Sequence, residues 1–321
     1  MRTYQIIFFL IFIFSCSDKK SSTETSEKEI KRESNINTTS IVILGTIQDA
    51  GSPQIGCKKE CCINLFENPD NTREIVSLGL LDIPNNKTYL FEATPDIGAQ
   101  MKNLTQYEKQ SEKEIVDGIF LTHAHIGHYT GLMFLGKEAM DAKNTPVFVM
   151  PRMKEFLSTN GPWSQLVTRK NISLNALENE KAIQLSEEIQ VTPFLVPHRD
   201  EYSETVGYRI QGPNKSALFI PDIDKWNKWN KNILEEIKKV DYAFLDATFF
   251  SGKEINNRDI AEIPHPFIIE SLEKFKELDK HEKSKVIFIH TNPVIDPNSN
   301  EAKMVIDQGF KIGKKDDVFE L

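Results

Sequence analysis

Histidine is scarce in this chain of 321 residues: there are seven, beside four cysteines and three tryptophans. Positive charge is also in short supply, with 39 Lys and Arg against 47 Asp and Glu and a net charge of -8. The cations are scattered rather than gathered into one segment, so the footprint of a nucleic-acid binder is missing and a long polyanionic partner is disfavoured. No apolar run approaches the ~20 residues that a permanent membrane-spanning helix needs. The longest is the nine-residue stretch from Ile6 to Phe14, which excludes a stable transmembrane helix and suits the core of a secretory signal.

That run ends in Ile13-Phe14-Ser15-Cys16, which resembles a bacterial lipobox with Cys16 as the lipidated residue. Residues 1–16 then read as a lipoprotein signal peptide. Residues 17–40 are rich in Ser, Thr, Glu and Lys and hold no aromatic residue, so they cannot bury enough apolar surface to fold and read as a flexible tether. A folded domain is expected over 41–321, held outside the cytoplasm by the lipid anchor, on a membrane face that the sequence does not specify.

The domain carries alternating punctuation of apolar runs and turn residues. Strands are expected at 41–46, 75–83, 88–92, 146–150, 189–196, 217–220, 242–245 and 285–289, the second and third forming a hairpin through Pro84-Asn85-Asn86. Helices are expected at 130–139, 226–239 and 267–278. Three cysteines, Cys57, Cys61 and Cys62, fall within six residues. They are read either as a disulfide with one odd thiol or as thiolate ligands of a structural metal.

The densest feature is Thr122-His123-Ala124-His125-Ile126-Gly127-His128, directly after the apolar run Ile119-Phe120-Leu121. Alternate residues of an extended stretch point the same way, so His123 and His125 can share one ion, with His198 completing a three-histidine face. Asp222, after the strand at 217–220, can ligate that ion or bridge to a second one held by His128 and His290. Such donors suit zinc, in one or two ions, with iron or manganese as alternatives. Zinc brings the pKa of a bound water to about 7, which makes hydroxide available at neutral pH. Asp96 is read either as a helix N-cap or as a buttress behind the metal site. His281 alone reads as plain surface.

The His-x-His-x-x-His run, followed in order by His198, Asp222 and His290, resembles the signature of the metallo-β-lactamase superfamily. Gly45-Thr46, Gly51 through Gln54, the cysteine cluster, Ala93-Thr94-Pro95-Asp96, Leu245-Asp246-Ala247-Thr248 and His290-Thr291-Asn292-Pro293 are similar to the branch that includes pyrroloquinoline quinone biosynthesis protein B, across 41–321. The resemblance implies an α/β fold, an αβ/βα four-layer sandwich of two mixed sheets flanked by helices, with a structural zinc at Cys57, Cys61 and Cys62. It implies a hydrolase of an ester or phosphodiester-type small substrate, in which His265, poised by Asp246, gives a proton to the leaving group and Asp222 belongs to the catalytic set. An iron oxygenase related to quinone-cofactor synthesis, and a noncatalytic protein that binds or carries a small ligand, are the rival expectations. Gly127 departs from the family: an aspartate ligand belongs there, so a weakened or absent second ion is expected.

Overall fold

The computed structural model describes residues 36–107, 113–255, 258–296 and 298–321. The expected signal, Cys16 and nearly all of the expected tether lie outside them. The tether's last residues do not stay free, because Thr39 and Ser40 are buried and the first strand begins at Ser40. Among the described residues, no helix is long and apolar enough to cross a membrane.

The chain builds two seven-stranded sheets in succession. Strands β1 (Ser40–Gly45), β2 (Ser77–Asp82), β3 (Lys87–Phe91), β4 (Gly118–Phe120), β5 (Thr145–Val149) and β6 (Ile172–Ala176) form the first. Strands β7 (Ile183–Gln184), β8 (Gln190–Leu195), β9 (Val206–Gln211), β10 (Ser216–Ile220), β11 (Tyr242–Asp246), β12 (Val286–Ile289) and β13 (Lys311–Ile312) form the second. The last strand, β14 (Val318–Glu320), returns to pair antiparallel with β1, so the two ends of the domain close the first sheet. Both sheets are mixed: β1, β2 and β3 run antiparallel, whereas β3 through β6 and β10 through β13 run parallel.

Strict alternation along the strands creates the layers. Ile41, Ile43, Phe91, Phe120, Tyr208, Phe219, Phe244, Ile287 and Ile289 meet between the two sheets. Their neighbours Val42, Leu44, Leu90, Ile119 and Leu121 face helices α2 (Ile97–Thr105), α4 (Pro151–Thr159) and α5 (Trp163–Thr168) on one side. Leu218, Ile220, Leu245 and Phe288 face α6 (Ile233–Lys238), α7 (Ile268–Phe275) and α9 (Asn300–Asp307) on the other. Successive side chains of a strand point to opposite faces, so a strand apolar at every position must be covered on both. The result is the expected αβ/βα sandwich.

Two expected helices are corrected. In place of a helix at 130–139, a single turn α3 (Ile126–Tyr129) passes into a tighter 3-10 segment, Thr130–Leu135. Gly131 N–H is held by the Ala93 carbonyl at 2.9 Å, and a Cβ on Gly131 would lie 2.0 Å from the Thr94 carbonyl oxygen, so docking against the first sheet takes precedence over an ideal helix. In place of a helix at 226–239, a 3-10 turn at Trp226–Lys228 precedes α6, because the Asn232 side chain accepts from Leu234 N–H and starts a new helix there. Strand β9, which was not among those expected, buries Val206, Tyr208 and Ile210 in alternation.

The inter-sheet layer rests on stacked aromatics. The Phe120 ring centroid lies 4.9 Å from Phe91 and 4.5 Å from Phe148, both nearly parallel. Phe120→Ala is expected to cost about 3–5 kcal/mol in chemical denaturation, while exposed Phe134→Ala should stay within about 0.5 kcal/mol. Equal effects would show that the layer does not carry the fold.

Candidate metal centre

The parallel strands bring their carboxyl ends to one edge, and five strand ends deliver six of the polar groups. His123 and His125 follow β4, His198 follows β8, Asp222 follows β10, Asp246 ends β11 and His290 follows β12. His128 lies in α3, and His265 comes from the loop before α7. The loops are stitched across the sheets. Val206 N–H donates to Thr122 O at 3.1 Å, Thr291 N–H to Thr46 O at 2.7 Å, and Asp224 N–H to Pro197 O at 2.6 Å. Ala124 N–H donates to Ser203 Oγ at 2.9 Å.

Asp222 is the hub. Its Oδ2 lies 3.0 Å from His128 Nε2, 3.5 Å from His123 Nε2 and 3.6 Å from His290 Nε2. Its Oδ1 lies 3.1 Å from His265 Nδ1 and 3.6 Å from His198 Nε2. Three donor sets share it: His123, His125, His198 and Asp222; His128, Asp222 and His290; and Asp222, Asp246 and His265, each with its ligand atoms within 4.8 Å of one another. Sequence-selected residues therefore meet in space, and His281 stays on the surface.

A divalent cation fits this arrangement. His123 Nε2, His128 Nε2, His290 Nε2 and Asp222 Oδ1 are buried without a hydrogen-bond partner among the described residues, a state that costs about 1–3 kcal/mol per group unless a ligand relieves it. Hydrogen bonds behind His123 and His290 orient those two rings, whereas both nitrogens of His128 lack a hydrogen-bond partner among the described residues. Thr248 Oγ1 donates to Asp246 Oδ1 and so receives the proton of His290 Nδ1 at 2.8 Å, leaving Nε2 with its lone pair. His123 Nδ1 is engaged by Thr122 Oγ1 at 2.8 Å, and His128 Nδ1 faces buried Glu92 at 3.6 Å. Such partners orient metal-binding imidazoles and raise their basicity.

Glu92, Thr122 and Thr248 are supports that the sequence reading does not single out. Glu92 has φ +79° and His290 φ +58°, a left-handed backbone that costs non-glycine residues of order 1–3 kcal/mol and concentrates at functional sites. Asp96, expected as a buttress or an N-cap, does stand at the N-cap position of α2, but its side chain makes no cap hydrogen bond there and accepts from Ile75 N–H at 2.8 Å instead. The carboxylate that faces a site imidazole from behind is Glu92, four residues earlier and 3.6 Å from His128 Nδ1.

Electrostatics separates the imidazoles into two kinds. Burial, reinforced by His128, drives the pKa of His123 well below the ordinary imidazole value. Burial brings His198 down to about 4, so both rings are neutral at neutral pH. For His265, burial opposes the charged form, yet Asp246 at 2.9 Å and Asp222 outweigh it and lift its pKa to about 10. Burial likewise opposes ionised Asp246, and His265 overrides it and holds the carboxyl at about 2. Beside this pair lies a cleft of about 540 Å³, lined by Arg199, Arg258, Phe249, Glu262, Ile263 and Pro264 as well as His265.

The cysteines form a second cluster. Cys57 and Cys61 sulfurs are 4.0 Å apart, and Cys61 and Cys62 sulfurs 3.9 Å. A disulfide requires about 2.05 Å, whereas tetrahedral thiolates at about 2.3 Å from zinc stand roughly 3.8 Å from one another. All three thiols are free, and the spacing fits a shared metal.

The Asp246–His265 pair gives a direct check in the metal-free protein. A raised folded-state pKa means that the ion pair stabilises fully below the unfolded imidazole value of about 6.5 and is lost as pH rises through 10. Asp246→Asn should therefore bring the NMR titration midpoint of His265 down by at least two pH units. An unchanged midpoint would show that Asp246 does not charge the ring.

A family profile for the beta-lactamase superfamily domain matches residues 87–291. Coenzyme PQQ synthesis protein B of Methylorubrum extorquens is 22% identical over 305 residues, covering 85% of this chain and 96% of that protein. The Zn(2+)-bound PqqB of Methylobacterium extorquens superposes with a TM-score of 0.70 at 19% identity, covering 88% of this chain and all of that one. A diphosphatase from the PhnP family superposes at 0.64 with 20% identity, covering 88% and 97%. Human tRNase Z, short form, superposes at 0.55 with 13% identity, covering 88% and 98%. Sheet order, strand-end donors and the profile agree: the chain belongs to the beta-lactamase superfamily and has its metallo-β-lactamase fold.

Proposed function

We propose that the protein is a metal-dependent hydrolase of a small anionic ester, with a phosphodiester or diphosphate as the preferred class. The observation that carries this reading is His265, held by Asp246 at 2.9 Å between the convergent donor set and an open cleft. When bound by His123, His125, His198 and Asp222, zinc supplies Lewis-acid polarisation and a water acidic enough to ionise near neutral pH. Diphosphatase and tRNase Z activities in proteins of the same fold support the class.

The chain's own groups account for the rest of the chemistry. Arg199 and Arg258 on the cleft wall offer guanidinium forks to a phosphate or carboxylate. Phe249, stacked on Phe267 at 5.3 Å, gives an apolar wall for the remainder of the substrate. His265 is protonated at neutral pH, and because Nδ1–H donates to Asp246, the transferable proton is on Nε2. That proton passes to the departing oxygen, which spares the reaction a poor alkoxide leaving group. Asp246 keeps the ring charged and oriented; it touches no substrate atom and is a positioning residue.

Likeness to PQQ synthesis protein B favours one rival. Histidines with a carboxylate also suit non-haem iron, so iron content with oxygen uptake would move the assignment to a quinone-related oxygenase. We further place a structural zinc at Cys57, Cys61 and Cys62, and a lipid anchor at Cys16 that holds the domain outside the cytoplasm.

Two experiments test these proposals. His265→Ala should slow esters with poor leaving groups about 100-fold or more and those with an activated aryl leaving group far less, because only the former need the proton. Equal losses for both would remove His265 as proton donor. In cells, Cys16→Ser should move the protein from the membrane fraction to the soluble one; unchanged membrane recovery would overturn the anchor.

A further inference from the structure

Gly127 stands between metal-site residues His125 and His128, at the position where the superfamily signature has an aspartate. The space next to it is not vacant. A Cβ built on Gly127 would fall 2.0 Å from Cβ of Asp49 and 2.5 Å from its Cα. Two carbons cannot approach so closely, so residue 49 fills the volume from which a side chain at 127 would start. The occupant is itself an aspartate.

The loop that carries Asp49 is fixed to both halves of the second donor set. Gln48 N–H donates to the carbonyl of Thr291, the residue after His290, at 3.0 Å. Gln48 also closes a tight turn: its carbonyl accepts from Gly51 N–H at 2.9 Å and its side chain from Ala50 N–H at 3.0 Å. On the other side Asp49 packs on Gly127, the residue before His128. Asp49 is thus wedged between the loops bearing His128 and His290. It is half-buried, and its carboxylate has no hydrogen bond or ion pair among the described residues; without an ion its oxygens do not yet join the His128, Asp222 and His290 donor atoms that lie within 4.8 Å of one another.

From this we propose that Asp49 supplies, from the loop after β1, the carboxylate that Gly127 lacks, so that His128, Asp222, His290 and Asp49 together hold a second divalent ion. This rests on the reading of the site as a metal centre. The sequence expectation of a weakened or missing second ion treats Gly127 as a loss, whereas the geometry points to an exchange: the carboxylate has moved to another segment, and glycine at 127 makes room for it. A three-donor set with one shared carboxylate gains a fourth ligand and a second negative charge, both of which favour retention of a second dication.

The full-length protein can be loaded with cobalt(II) and with zinc, counting ions by mass spectrometry of the metal and measuring affinity by chelator competition. Thiolate charge-transfer absorption of cobalt reports an ion at the cysteines separately from ions at the histidines. The wild type should hold two ions at the histidines. Asp49→Asn, which keeps shape and removes charge, should weaken one of them by at least ten-fold, leaving the other and the metal-free melting temperature unchanged. Moving the carboxylate back, with Asp49→Gly and Gly127→Asp together, should recover two-ion binding to within a few-fold. Two ions held with unchanged affinity in Asp49→Asn would overturn the role of Asp49 and leave the metal centre standing, as would a single ion in the wild type. No ion at the histidines of the wild type would overturn both.

Discussion

Everything at the active edge depends on one buried carboxylate. Asp222 is 2% exposed and sits among five imidazoles. Burial alone would keep it protonated, yet the surrounding histidines, led by His290 and His198, override that and hold its pKa well below the ordinary carboxylate value. An ionised group there demands compensating positive charge: His265 and His128, whose pKa values are raised against burial, supply part of it, and a divalent cation would supply more. The strands of both sheets, the loop-to-loop hydrogen bonds and the left-handed backbone at His290 all serve to keep bare nitrogens facing this one anion.

The same arrangement assigns different tasks to chemically identical side chains. His123 and His198 are depleted of protons by burial and are suited to ligation. His265 is charged because Asp246 and Asp222 both face it, which suits it to giving up a proton. Thr248 couples the two functions, since its hydroxyl is bonded to Asp246, lies 2.8 Å from His290 Nδ1 and lies 3.1 Å from His265 Nδ1. A disturbance at His290 is therefore felt at His265 through one hydroxyl.

Much of this was legible in the sequence because the signals are local. His123, His125 and His128 follow a short apolar run, and His198, Asp222, Asp246 and His290 each follow an apolar strand, so the strand ends announce themselves. The helices that failed, at 130–139 and 226–239, did so through tertiary contacts invisible to periodicity: Gly131 against the Thr94 carbonyl, and a fresh N-cap at Asn232. Glu92 and Asp49 could not be read for a different reason. A lone acid beside a strand has no spacing rule, and its relation to His128 or Gly127 exists only once distant segments meet. Asp96 illustrates the converse, a well-placed acid whose carboxylate serves the backbone of Ile75.

The central claim is that these convergent donors are a metal site. The most direct measurement is anomalous X-ray diffraction at the metal edge from crystals of the protein as purified. The account predicts a peak at about 2.0–2.2 Å from His123, His198 and Asp222 donor atoms. A dialysed but unchelated protein with no peak among these residues, or with metal only at the cysteines, would contradict it.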